Sequence, residues 1–235
     1  MRTYAIGDIH GCLHTLKDLL HKLRLGPDDR VIFLGDYIDR GPFSKQVIDF
    51  LKTIVDSKQY IALMGNHERM CVDSYDGSGY WGQVWMQNGG IETIDSYDER
   101  TEAQKRRPAF EDYEAEEVWR ANLPKVSKEH LNWMRQLPVK YETEKFFFCH
   151  AGVDPEVELD DQTPDDLLWI RGEFLKSKKN FGKIVVFGHT PLEDVTIKDN
   201  YIGVDTGCTY GHKLSAICLE TMTVYHATHN DKDEL

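Results

Sequence analysis

Five short polar clusters carry the residue types that catalysis needs. They are Gly7-Asp8-Ile9-His10-Gly11, Gly35-Asp36-Tyr37-Ile38-Asp39-Arg40-Gly41, Gly65-Asn66-His67-Glu68, His150-Ala151-Gly152-Val153 and Gly188-His189-Thr190-Pro191. Each follows a short apolar run, the place where open α/β sheets gather ligand-binding loops. Asp8 and His10 stand two apart, so in an extended segment both face the same side and can chelate one ion. The flanking glycines admit close backbone approach. A single Asp or His is ordinarily a surface group or a hydrogen-bonded core residue. Gathered at strand ends, the clusters supply two Asp, three His and one Asn as N/O ligands without a thiolate, a set that suits manganese, iron or zinc. Six ligands are too many for one such ion with an open catalytic position. Two ions sharing a carboxylate, about 3.5–4 Å apart with a bridging hydroxide as nucleophile, resolve the count. Two carboxylates leave that centre positively charged, so it can attract phosphate locally.

The elements that must position these clusters are legible as apolar runs. Thr3 to Ile6 predicts a strand, and Leu13, Leu16, Leu19, Leu20 and Leu23 predict a helix stopped by Gly26-Pro27. Val31 to Leu34 is a second strand. Ser44 is placed to cap a helix with Val47, Ile48, Leu51 and Val55 on one face, and Tyr60 to Met64 is a third strand. This βαβαβ alternation predicts a largely parallel sheet covered by helices. Phe146–Cys149, Ile184–Phe187, Tyr201–Val204, Leu214–Leu219 and Val224–His226 predict a second sheet from the second half of the chain. Between them, residues 70–140 predict a helical, charged insertion or cap within a single domain spanning 1–235. It holds Tyr75, Tyr80, Trp81, Trp85, Tyr113 and Trp119, a charged stretch from Asp98 to Glu117, and one helix capped by Ser127 with Leu131, Met134 and Leu137 on its apolar face. Lys105-Arg106-Arg107 reads as a solvated face rather than a docking spot.

Composition excludes several classes. With 28 Lys+Arg against 40 Asp+Glu the net charge is −12, the wrong long-range sign for a nucleic-acid or anionic-membrane binder. No apolar run approaches the roughly 18 residues of a membrane helix, and Met1-Arg2-Thr3 opens without a signal-peptide layout, which predicts a cytoplasmic protein. Lys232-Asp233-Glu234-Leu235 spells an ER-retrieval signal, but without a route into the secretory pathway it reads as a polar, frayed tail. Five Cys without paired CxxC spacing read as reduced thiols, supplying neither a disulfide framework nor a zinc knuckle. Cys149 beside His150 is read as core, since adjacent strand residues face opposite ways.

In their order along residues 4 to about 219, GDIHG, GDYIDRG, GNHE, HAGV and GHTP resemble the signature series of the PPP-type metallophosphoesterases, especially the bacterial and phage-lambda-type serine/threonine protein phosphatases. The resemblance implies a calcineurin-like two-sheet β-sandwich flanked by helices. It implies that Asp8, His10 and Asp36 hold one metal ion and Asp36, Asn66, His150 and His189 the other, with manganese the favoured metal. His67 resembles the family's catalytic acid and Asp39 the carboxylate that orients it. Arg40 and Arg171 resemble phosphate-binding arginines, and Tyr210 a residue of the loop closing the active site. Chemistry agrees: a serine alkoxide leaves poorly without a proton, which an imidazole steadied by a carboxylate can supply. Two guanidinium forks can hold phosphate oxygens. Arg171 could instead pair with Glu173, and Glu68 and Arg69 could simply support their loop.

The expected activity is metal-dependent hydrolysis of phosphoserine or phosphothreonine on a phosphoprotein or phosphopeptide by a dinuclear metal-bound hydroxide, the sequence leaving open whether phosphotyrosine is also accepted. The alternative is a diadenosine tetraphosphate hydrolase. Symmetrical enzymes of that kind typically lack an acid where Asp39 stands and differ where Thr190 follows Gly188-His189. A catalytically silent metal-binding regulator would predict erosion of His67 or Arg40, and both are present.

Overall fold

In the computed structural model, residues 1–55, 59–77, 79–98 and 125–234 are described. Strand β1 (Thr3–Ile6) runs into helix α1 (Leu13–Leu23), then β2 (Arg30–Phe33), α2 (Ser44–Ile54) and β3 (Tyr60–Ala62). A helical layer follows: α3 (Asn66–Tyr75), α4 (Gly79–Trp85), a π-helical turn (Met86–Gly90), α5 (Ile91–Ser96) and α6 (Lys128–Arg135). Next come β4 (Lys140–Glu142), β5 (Phe146–Cys149), α7 (Pro164–Trp169), α8 (Gly172–Lys176), β6 (Ile184–Phe187), β7 (Thr196–Ile197) and β8 (Tyr201–Gly203). Strands β9 (Lys213–Cys218) and β10 (Thr223–Thr228) close the chain.

The strands form two five-stranded sheets, ordered β10-β9-β1-β2-β3 and β4-β5-β6-β8-β7. The expectation that the second half builds the second sheet is corrected here. Strands β9 and β10 return to the first sheet, β9 pairing antiparallel with β1 through Ala5–Ile217. Only β1, β2 and β3 of that sheet are parallel. Period-two alternation explains why the strands read as continuous apolar runs: both faces are covered. Ala5, Ile32, Leu34 and Ile217 pack with Phe148, Val186 and Ile202 of the other sheet. Their neighbours Tyr4, Ile6, Val31 and Phe33 face outward onto Leu16 and Leu19 of α1 and Val47 and Leu51 of α2. Phe147, Val185, Phe187 and Tyr201 bury the far side of the second sheet against Phe174 of α8. Each such side chain contributes about 1.5–3 kcal/mol on burial.

Two helix ends differ from expectation. Ser44 is the first residue of α2 and Phe43 occupies the cap without a side-chain hydrogen bond. Ser44 Oγ instead accepts from the Asp39 amide at 3.0 Å, so it braces a site loop. The C-terminal tail is not frayed through Asp233. A 3-10 turn at Asp231–Asp233 buries that carboxylate, which accepts the main-chain N–H groups of His14 (3.0 Å) and Thr15 (2.7 Å) at the start of α1. The free N–H groups and positive end of a helix favour a carboxylate there. Leu235 lies outside the described residues. The Ser127 cap is formed as expected, its Oγ accepting from His130 N at 3.2 Å, with Leu131 and Met134 buried beneath. Lys105-Arg106-Arg107, Tyr113 and Trp119, and all of the charged stretch after Asp98, lie outside the described residues. Among those described, no helix is long and apolar enough to cross a membrane.

Candidate active site

The C-terminal ends of the parallel strands in both sheets open onto one place. From β1 comes the loop with Asp8 and His10, from β2 the loop from Asp36 to Arg40, and from β3 the turn into α3 with Asn66 and His67. His150 follows β5 and His189 follows β6. Of the seven described non-glycine residues with positive φ, five are here: His10, Asp36, Asp39, Arg40 and His189. Each costs of order 1–3 kcal/mol, which the surrounding fold must offset. His10, at φ 45°, also corrects the expectation of an extended Asp8–His10 segment. A left-handed turn rather than strand alternation aims its side chain.

Glu68 holds this strained loop. Fully buried in the first turn of α3, its carboxylate accepts the main-chain N–H groups of Asp36 (2.9 Å), Tyr37 (2.7 Å), Ile38 (3.3 Å) and Gly65 (3.0 Å). Gly65 is required for close approach, because a Cβ there would stand 2.2 Å from Asp36 Oδ1. Glu68→Ala orphans these buried donors at about 1–3 kcal/mol apiece before relaxation. We expect a loss of about 3–5 kcal/mol in chemical denaturation. A change below about 1 kcal/mol would show that the loop does not depend on Glu68.

Asp36 is the hub. Its Oδ2 lies 3.5 Å from His10 Nε2 and 3.9 Å from His67 Nε2, and its Oδ1 lies 3.4 Å from His150 Nε2. Two ligand-type clusters share it, His10–Asp36–His67 and Asp36–His150–His189. Asn66 Oδ1 joins the second cluster, 2.8 Å from His150 Nε2 and 2.9 Å from His189 Nδ1. The two histidine nitrogens are 3.1 Å apart. Main-chain carbonyls fix two of the rings: His10 Nδ1 donates to Ile38 O at 2.7 Å and His150 Nδ1 to Leu34 O at 2.8 Å. Carbonyls can only accept, so each ring keeps its proton on Nδ1 and turns Nε2 inward to the hub, an orientation typical of metal-ligating histidine.

The electrostatics also fit a cation. Burial, then Asp205, pushes Asp8 well above the ordinary carboxylate range. Burial works the same way on Asp36, yet His150, His67 and His10 around it bring it well below that range. His10 is pulled well below its usual value, first by burial and then by His67. His150 goes the other way: burial lowers it, but Asp36 and Asp8 outweigh that and raise it to about 9, so it is held as a cation among the buried acids. A bound divalent ion would supply that positive charge in place of the proton. Asp8 itself lies outside both clusters. Its two oxygens accept the His189 N–H at 3.0 Å each, and a Cβ on Gly188 would meet Asp8 Oδ1 at 2.2 Å.

Beside the hub sits a proton-transfer pair. His67 Nδ1 is 2.6 Å from Asp39 Oδ2. Asp39 is fully buried, accepting from Trp85 Nε1 at 3.0 Å and Thr93 Oγ1 at 2.6 Å. Sequence reasoning missed both supports, since nothing near the motif in the chain signals them. Burial raises Asp39 well above the carboxylate range and lowers His67 to about 4. Arg40 bridges the histidines, with Nη2 3.0 Å from His67 Nε2 and Nη1 2.8 Å from His10 Nε2. Arg171 Nε donates to His189 Nε2 at 2.9 Å and so faces the centre. Tyr210 is half exposed on a 3-10 turn, with the Arg40 guanidinium 5.6 Å from its ring. Cys149 is buried and donates to Gly152 O, away from the hub.

Two-sheet topology with an Asp-centred N/O cluster at the strand ends defines a metal-dependent phosphoesterase. Residues 1–221 match the calcineurin-like phosphoesterase family, and the chain belongs to it. It is 30% identical to serine/threonine-protein phosphatase 2 of Salmonella typhimurium over 90% of each chain. It is 28% identical to the asymmetrical bis(5'-nucleosyl)-tetraphosphatase PrpE of Oceanobacillus iheyensis, over 92% of this chain and 88% of that one. A solved mutant of a cold-active protein tyrosine phosphatase shares the fold, with a TM-score of 0.63 at 19% identity, covering 97% of this chain and 80% of that one. The family's centre takes two divalent ions, and the clusters sharing Asp36 fit that requirement.

Proposed function

We propose that the protein hydrolyses phosphoserine and phosphothreonine monoesters on a phosphoprotein or phosphopeptide, with manganese as the working metal. The carrying observation is the buried His67–Asp39 pair, 2.6 Å apart and facing the hub. A serine alkoxide needs a proton to leave, whereas the nucleotide expelled from a dinucleoside polyphosphate departs as a stabilised phosphate anion. A positioned acid therefore gains most with an alkyl phosphate.

Asp8, His10, Asp36, Asn66, His150 and His189 would hold the two ions, which when bound would supply Lewis-acid charge and lower the pKa of a water. The chain's own residues do the remainder. Arg40 and Arg171 reach the centre from different loops and clamp phosphate oxygens through the transition state. Asp39 keeps His67 oriented while its proton passes to the leaving oxygen. Arg40→Ala or Arg171→Ala should each lower kcat/KM by about 10–10³-fold, with metal content retained. Wild-type kinetics for Arg171→Ala would remove that residue from the clamp.

A second reading, dinucleoside tetraphosphate hydrolysis, is favoured by the stacked Trp81–Trp169 pair (5.8 Å, 25°), whose Trp169 also packs edge-on to His189. Such indoles could receive a purine. Parallel turnover of phosphoserine, phosphothreonine and phosphotyrosine peptides and diadenosine tetraphosphate separates the readings. Highest kcat/KM on a phosphoserine or phosphothreonine peptide is expected; highest on diadenosine tetraphosphate would overturn the proposal.

A further inference from the structure

Behind Arg40 the fold assembles a group of a different chemical character. Cys12, two residues beyond His10 at the start of α1, meets Cys208 from the turn that carries Tyr210, and His229 from the end of β10. One ligand atom from each lies within 4.8 Å of the others, and Cys12 Sγ is 4.0 Å from His229 Nδ1. Both thiols are buried, with Cys12 fully inaccessible, while His229 is half-buried. Among the described residues the His229 ring has no other polar partner. It lines a cavity of about 230 Å³ together with Arg40, Thr209, Asp233 and Glu234.

We propose that Cys12, Cys208 and His229 form a third cation site, distinct from the phosphoesterase centre, that takes a thiophilic divalent ion such as Zn²⁺. Two sulfurs and an imidazole are a donor set that zinc favours, in contrast to the thiolate-free set around Asp36. Zinc bond lengths in a tetrahedron place such donors about 3.6–3.8 Å apart, a small contraction from the spacing present. Binding forms two Zn–S bonds and one Zn–N bond and releases the two thiol protons to solvent, with no change of oxidation state. The two thiolates would neutralise the ion, and the cavity that His229 lines is the nearest source of a water for the fourth position. Asp233 is not needed as a ligand, since its carboxylate is engaged by His14, Thr15 and the Thr15 hydroxyl.

The site has a consequence for the active centre. Cys208 opens the 3-10 turn Cys208–Tyr210, which stands between left-handed Gly207 (φ 70°) and Gly211 (φ 78°). Tying Cys208 to Cys12 and His229 fixes that turn, and with it the Tyr210 ring against the Arg40 guanidinium. An ion here therefore sets how firmly the phosphate-side lip is held.

Cobalt titration of chelator-treated full-length protein tests this. Cobalt–thiolate bonds give intense near-ultraviolet charge-transfer absorption, which imidazole, amide and carboxylate ligands do not. We expect the band, at saturating cobalt, to reach the intensity of one two-thiolate cobalt ion per chain and to be abolished by added Zn²⁺. It should be absent in Cys208→Ser and lost or strongly weakened in His229→Gln, with manganese-supported hydrolysis retained in both. His229 is only half-buried, so His229→Gln keeps the test decisive if Cys208→Ser does not fold. No charge-transfer band in the wild type, or an undiminished band in His229→Gln, overturns the site. So does loss of two titratable thiols without metal, which would make Cys12 and Cys208 a disulfide pair. The absorbance readout is independent of which phosphate ester is turned over.

Discussion

His67→Asn should slow hydrolysis of a phosphoserine peptide by about 10²–10⁴-fold while retaining both metal ions. An activated aryl phosphate should lose much less, because its phenolate leaves without a full proton. The reason is local: His67 Nδ1 is engaged by Asp39 and its Nε2 faces Arg40. Asp39→Asn should show the same selectivity in milder form, disturbing the orientation and charge of the imidazole without removing it. The measurement is the ratio of kcat losses on the two substrates, with metal analysis of each variant. His67 stands within the first ligand cluster, so metal content is a sharp discriminator. A variant that loses an ion would make His67 a ligand. Equal losses on both substrates with intact metals would make it a stabiliser of the phosphoryl group.

Asp36→Asn should have the largest effect of any single substitution. Asp36 is common to both described clusters, and its Oδ1 also accepts the His67 N–H at 3.1 Å, a bond that the asparagine carbonyl can preserve. The substitution is therefore nearly silent for backbone geometry while removing the central negative charge. We expect the stoichiometry to fall from two ions to fewer than one and kcat to fall by at least about 10³-fold, the several kcal/mol that metal charge supplies to the transition state. Far-ultraviolet circular dichroism should be unchanged. Retention of two tightly bound ions would show that Asp36 does not bridge them.

The functional clusters were legible because each joins a glycine to ligand-type side chains directly after an apolar run. Helix α1 was legible because Leu13, Leu16, Leu19 and Leu23 repeat at the helical period and are buried. What escaped was non-local or conformational. The run Leu214–Leu219 has the same apolar character as Phe146–Cys149, and nothing within it says that it pairs with β1 rather than with the second sheet. The left-handed backbone at Asp36, Asp39, Arg40 and His189 leaves no mark in residue type, since none is glycine. Trp85 and Thr93 hold Asp39 from the helical layer, roughly fifty positions along the chain. The same distance problem hid Cys12 from Cys208, and Asp233 from the start of α1. Local spacing finds chelates within a loop, not ligands or caps that only folding brings together.

The most direct measurement is anomalous diffraction from crystals of manganese-loaded protein. Two peaks are predicted at the strand ends with the Asp36 carboxylate between them, one beside His10 and the other beside Asn66, His150 and His189. His67 should be outside coordination distance of both and still bonded to Asp39. A single peak, or a peak ligated by His67, would contradict the account of a shared-carboxylate centre with a free proton donor.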